Sequence, residues 1–350
     1  MTVPRGRSFC SFALALLIGA SVPRAAYAGS ITTNDPPVAT LADGRTGTIA
    51  FEALTPKSSR ELVGGRAAEK SVIAGVLTLP ASDAAGASHA KIPAMVVVHG
   101  SSGVGPNDWD WAKRLNDMGV AAFVIDNFTG RGVKETATDQ SRLSPAADAA
   151  GALAALRLLA THPAIDPRRI GVIGFSRGGS AAINTALEPV RRAVIDDDLR
   201  FTAHVALYPG CAVPFVSAHL DGSPMLMLLG GKDDYTPASF CLAYADKLRA
   251  NGASLQVTVY PNANHAFDSK TAPHFNPRPT TLHNCHGEID LDDGALTVQA
   301  GDQALRGAAA AAELKRCIER GVTVGGDPEA REKAPGDVAN FLKPIFALAR

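Results

Sequence analysis

Short apolar runs, almost free of polar residues, recur through the middle of this chain. They occupy residues 94–98, 120–125, 170–175, 203–208 and 225–229. Strands buried on both faces read this way, because neither side of the pleat needs a polar residue. A sixth run, 255–260, alternates more. Segments of helical length and apolar spacing fall between the runs, at 109–118, 145–160, 176–187 and 237–250. Pro145 suits a helix start, where the missing N–H costs nothing. Repeated strand–helix alternation predicts a doubly wound, mostly parallel α/β sheet of about eight strands with helices on both faces. Two leading strands, 48–54 and 71–79, precede it, joined to it by a Gly/Ala/Ser turn at 81–90.

The two ends differ. Arg5 and Arg7 precede an apolar stretch at 9–20, and Ala26-Tyr27-Ala28 places small residues where a signal peptidase reads them. The stretch is short of the roughly 20 residues that span a bilayer. Residues 1–28 are therefore expected to be a cleaved signal peptide, and the protein to be periplasmic or secreted. Residues 29–47 have no period and read as a loose arm. Residues 268–298 are rich in His, Asn, Asp and Pro and read as a long loop or insertion. Helices are expected at 304–320 and 337–349. No linker justifies a second domain, so 29–350 is read as one.

Composition narrows the function. Apolar residues make up 46% and charged residues 19%, which excludes a disordered chain. Lys plus Arg equals Asp plus Glu, at 34 each, so no basic excess exists to neutralise nucleic-acid phosphates. Neither nucleic acid nor a membrane is expected as a partner once the signal is cleaved.

The strongest chemical signal is Gly174-Phe175-Ser176-Arg177-Gly178-Gly179. It follows a buried strand and opens a helix, the setting of a nucleophile elbow. Ser176 is the expected nucleophile. It needs a base, and His265, just past the last strand, fits better than His99, His162 or His204. An acid should orient the base from the end of an intervening strand. Asp233 and Asp234 both stand there, with Asp233 favoured and the other expected to cap the next helix. Backbone N–H groups of Arg177 and Ser101 are the expected oxyanion donors, although His99–Gly103 also reads as a plain Gly/Ser turn.

These pieces, with Val98-His99-Gly100, Asp126-Asn127-Phe128, Arg131-Gly132, Gly230-Gly231-Lys232-Asp233 and Tyr260-Pro261, resemble the dienelactone hydrolase family of α/β hydrolases over about residues 70–270. The resemblance implies a hydrolase of small carboxylic esters or lactones, with no cofactor. The family's name-giving members carry Cys where this chain has Ser176, which points to a broader ester activity. A non-catalytic binding protein on the same fold, or a peptidase, is the rival. Arg131 is a candidate contact for a substrate carboxylate, with a surface ion pair as its alternative.

Beyond the signal region four cysteines remain, Cys211, Cys241, Cys285 and Cys317, an even number suited to disulfides in an exported protein. Sequence leaves three pairings open. The resemblance and the strand order favour Cys211–Cys241 with Cys285–Cys317. His274, His283, His286, Asp290, Asp292 and Asp293 crowd beside Cys285, but the spacing matches no zinc pattern, so a solvated loop and no metal are expected.

Overall fold

The computed structural model describes Met1 and residues 29–65, 68–81 and 90–348. The signal segment expected over 1–28 lies, Met1 aside, outside the described residues. The strands are β1 Gly47–Leu54, β2 Lys70–Thr78, β3 Ile92–Val98, β4 Ala121–Asp126, β5 Ile165–Phe175, β6 His204–Leu207, β7 Phe215–Val216, β8 Met225–Gly230 and β9 Leu255–Tyr260. The C-terminal part adds β10 His274–Thr281, β11 Gly287–Asp290, β12 Leu296–Ala300, β13 Gln303–Arg306 and β14 Glu319–Val324. The helices are α1 Ser59–Val63, α2 Pro106–Asp117, α3 Pro145–Leu159, α4 Arg177–Asn184, α5 Glu188–Arg192, α6 Ala238–Ala250, α7 Gly307–Arg316 and α8 Pro328–Phe346.

Eight strands form the central sheet in the order β1-β2-β4-β3-β5-β6-β8-β9. β4 to β9 run parallel, while β1 and β2 are antiparallel to their neighbours. The apolar runs follow from this layering. On β3, Ala94, Val96 and Val98 face a core shared with α3, α4 and α6. Met95 and Val97 face the opposite core, shared with α2 and α8. All seven β3 residues are buried. The chain leaves β3 towards β4 on one side and returns to β5 on the other. A crevice therefore opens beyond the carboxyl ends of β3 and β5, where α/β sheets place their sites.

The 268–298 segment is not a loop. It forms β10, β11 and most of β12, which with β13 and β14 build two small sheets. β10 pairs antiparallel with β14, and β11 pairs parallel with β7. These strands are largely half-exposed or exposed, so their runs are short and carry polar residues. The helix expected at 304–320 is shorter, Gly307–Arg316, with β14 directly after it. The last helix starts earlier than expected, at Pro328, and continues through Pro335. The disulfides are Cys211–Cys241 and Cys285–Cys317, the favoured pairing. Among the described residues no group of three or more His, Cys, Asp or Glu side chains is placed to hold a metal ion.

Candidate active site

Ser176 sits where β5 turns sharply into α4. Its φ of 54° lies in the left-handed region that non-glycine residues avoid. Its N–H donates to the Leu207 carbonyl at 2.9 Å, tying the turn to β6. The flanking glycines are sterically required. A Cβ on Gly174 would lie 2.0 Å from the Gly178 carbonyl oxygen, and one on Gly178 would lie 2.1 Å from that of Val98. Strain at a single turn persists only when its surroundings over-determine it, and here two neighbouring strands and a helix do so.

His265 follows β9 on a loop and meets Ser176. Nε2 lies 2.9 Å from Ser176 Oγ, and Nδ1 lies 2.8 Å from Asp233 Oδ2. Asp233 is the carboxylate at this position. Its Oδ1 accepts from the N–H groups of Tyr235 (2.9 Å) and Thr236 (2.8 Å), and its Oδ2 accepts from Thr236 Oγ1 (2.8 Å). The expected capping role for Asp234 does not hold. Its carboxylate accepts instead from the Thr323 N–H of β14 at 2.7 Å, and Pro237 stands at the start of α6. Ser176, His265 and Asp233 are all buried.

The other predicted residues divide. The Gly100 backbone passes directly over the elbow, since a Cβ there would lie 3.2 Å from the Phe175 carbonyl oxygen and 3.4 Å from Ser176 Cβ. That places Ser101 beside Ser176, bonded to Gln140 through Nε2–H donating to its Oγ at 3.0 Å. The Arg177 side chain does a second job. Nε donates to Asp148 at 2.6 Å and Nη1 to Gln140 Oε1 at 3.1 Å, fastening the 135–143 segment to the elbow. Arg131 is not brought to the cavity. Its guanidinium donates to Thr55 Oγ1, the Leu54 carbonyl and both oxygens of Asn127, holding the loop after β4 against the end of β1. Burial pushes it down to about 10, so it remains charged at neutral pH.

The triad opens into a cavity of about 520 Å³. The loop after β3, the Glu135–Thr138 segment and the start of α2 form three walls. Asn276, Arg278, Pro279 and Val324 of the C-terminal strands form the fourth. These strands also brace His265, because Val324 bridges it and the Gly325 N–H donates to the His265 carbonyl at 2.9 Å. Sequence reasoning missed this contribution, together with Tyr208 and Tyr235. Both rings pack on the His265 imidazole, with centroids 4.8 and 4.7 Å away. Burial pushes the Tyr235 hydroxyl up to about 12. The only sequence signal for Tyr208 was its place at a strand end, two residues before Gly210 and three before Cys211. Asp108, in the cavity wall, is pushed up to about 6 by burial.

A parallel sheet crossed by helices, with a serine–histidine–carboxylate chain beyond its strand ends, defines the α/β-hydrolase class. The match to the dienelactone hydrolase family model runs over residues 80–286, more than half of the chain, and this chain belongs to that family and is an ester-acting hydrolase. A Methylorubrum extorquens protein provisionally named carboxymethylenebutenolidase is 28% identical over 57% of this chain and 72% of its own length. A Bradyrhizobium protein provisionally named 2-oxo-3-(5-oxofuran-2-ylidene)propanoate lactonase is 24% identical over 53% and 78%. Among solved structures, a dienelactone hydrolase-like promiscuous phosphotriesterase from metagenomic libraries superimposes with a TM-score of 0.50 at 18% identity. It covers 86% of this chain and 99% of its own. At that identity the likeness shows the fold alone.

Proposed function

We propose that this protein is an exported serine hydrolase that cleaves carboxylic esters or lactones of small molecules through an acyl-enzyme. The observation that carries the reading is the unbroken chain from Ser176 Oγ through His265 to Asp233, at 2.9 and 2.8 Å, on the floor of a cavity. His265 Nε2 takes the Ser176 proton as Oγ attacks the carbonyl carbon. The N–H groups of Arg177 and Ser101 receive the oxyanion, and the N-terminus of α4 beneath it favours the same charge. The intermediate collapses, and His265 returns its proton to the leaving alkoxide. Water then attacks the acyl-enzyme with His265 again as base, releasing the carboxylate and free Ser176. Asp233 fixes the Nδ1–H tautomer and steadies the imidazolium. The names of the relatives support lactones among the substrates. Two disulfides support export, since such bonds persist in oxidising compartments. Residues 29–350 act as one catalytic domain.

Hydrolysis of p-nitrophenyl acetate tests this directly. A pre-steady-state burst of one p-nitrophenol per chain is expected, lost in Ser176→Ala. Full steady-state activity in Ser176→Ala would overturn the reading.

A further inference from the structure

Two features, one in the cavity wall and one buried behind it, have no part in the mechanism above. The first is Tyr208, the first residue past β6. Its φ is 39°, a conformation costly for a bulky aromatic residue. Its N–H donates to the Leu228 carbonyl at 2.8 Å, and its own carbonyl accepts from Thr236 Oγ1 at 3.2 Å. That hydroxyl is the one that also touches Asp233 and lies 3.0 Å from His265 Nδ1. The second feature is Asp268, a buried carboxylate that forms no ion pair among the described residues, although Arg114, Lys270 and Arg331 line the same pocket. It lies three positions beyond His265 on the same loop. Its Oδ1 accepts from the Tyr208 hydroxyl at 2.8 Å, and its Oδ2 from Trp111 Nε1 at 2.7 Å.

We propose that Tyr208 and Asp268 are positioning residues that lock the His265 imidazole onto Ser176. The proposal rests on the serine-hydrolase reading above. The Tyr208 ring stands edge-on to the imidazole, 4.8 Å between centroids, and edge-on to Phe267, 5.1 Å away. A ring held at one end only by packing can tilt. The Asp268 bond fixes its far end to the loop that carries the base. Trp111, on α2, fixes Asp268 in turn. The loop bearing His265 is thus tied at Asp268 to both α2 and the end of β6, independently of the Asp233 contact. The protonation of Tyr208 suits this. Burial and the neighbouring carboxylate push the Tyr208 hydroxyl far above its ordinary value, so it stays a donor, while burial also raises Asp268.

The alternative is that this network only stabilises the fold. Kinetics of Tyr208→Phe and Asp268→Asn on p-nitrophenyl acetate, with the double variant, separate the two. Tyr208→Phe keeps the ring and removes the tether, together with the longer contact that Asn107 Nδ2–H makes to the same hydroxyl at 3.4 Å. The expected result is a fall in kcat of about 5- to 20-fold in each single variant with KM within about twofold, as for interactions made chiefly in the transition state. The double variant should be no worse than the worse single, because both remove one tether. The far-downfield proton resonance of His265 Nδ1–H should also exchange faster with water in Tyr208→Phe. Trp111→Phe, which withdraws a donor from Asp268 outside the substrate cavity, should reproduce the kcat loss in weaker form. If Tyr208→Phe and Trp111→Phe both keep kcat within twofold while fluorophosphonate still labels wild-type Ser176, the positioning role is overturned and the hydrolase reading stands. If wild-type Ser176 does not label, the hydrolase reading itself has failed.

Discussion

The central sheet and the C-terminal strands contribute differently to one cavity. β3, β5 and β8 are buried over most or all of their length and deliver Ser176, Asp233 and the loop after β3 from their carboxyl ends. β10 and β14 carry polar residues, are largely half-exposed or exposed, and supply a wall and a brace. Chemistry that tolerates little displacement is mounted on the dense part. The wall supplied by the C-terminal strands is one whose exposed side chains can change without disturbing the sheet.

The largest contrast is expected at the elbow. Gly178→Ala places a Cβ 2.1 Å from the Val98 carbonyl oxygen, where only backbone could move. It should yield no folded, soluble enzyme, checked by circular dichroism and thermal melting. In the C-terminal strands, Arg278→Ala should fold normally and alter only KM, by a few-fold, because its side chain lines the cavity mouth and is exposed.

The two adjacent aspartates, Asp233 and Asp234, sharpen the comparison within two residues of chain. Asp233→Asn should lower kcat by about 10³- to 10⁴-fold, the cost of the wrong imidazole tautomer. Asp234→Asn should lose less than tenfold, since that side chain holds only the β14 backbone. Equal losses would contradict the assignment of one to the sheet's chemistry and the other to the brace.

The disulfides make the same division. Cys285→Ser with Cys317→Ser should cost about 2–4 kcal/mol of local stability. Limited proteolysis should then cut within 274–324 first, with KM rising and kcat changed less than threefold. Removing Cys211–Cys241 frees the segment after Tyr208 from α6, so kcat should fall instead.

A last contrast concerns pH, and it touches stability and not the rate. Burial holds Asp108 at about 6, above the 3.8 of an exposed carboxyl. A proton is therefore bound more tightly in the folded state, and stability from this group is gained as pH falls from about 6 towards 4 and absent above 6. Relative to Asp108→Asn, the wild type should gain at most about 3 kcal/mol between pH 7 and pH 4 in urea unfolding. Parallel pH profiles would contradict it.

The same physical division decided what could be read from the residues. Burial on both faces makes runs such as Met95-Val96-Val97-Val98 unmistakable, and the elbow glycines mark a turn that only they permit. The strand-to-loop positions of Ser176, Asp233 and His265 followed from those runs. β10 to β12 were read as a loop because Pro273, Pro277 and Pro279 interrupt β10 and its surroundings, and because exposed strands need no apolar face, while β13 overlapped the helix expected at 304–320. β14 was hidden behind the alanine-rich α7. Arg131 looked like a substrate contact because its partners, the Leu54 carbonyl and Thr55, lie more than 70 positions away in sequence. Tyr208 and Asp268 were invisible for the same reason, since their bond spans 60 residues.

The most direct test of the central claim is covalent labelling of the purified protein with a fluorophosphonate, followed by peptide mapping by mass spectrometry. A single adduct on Ser176, blocked in His265→Ala and absent from Ser176→Ala, is the predicted result. A folded protein that takes no label at Ser176, or that labels equally well without His265, would contradict the account.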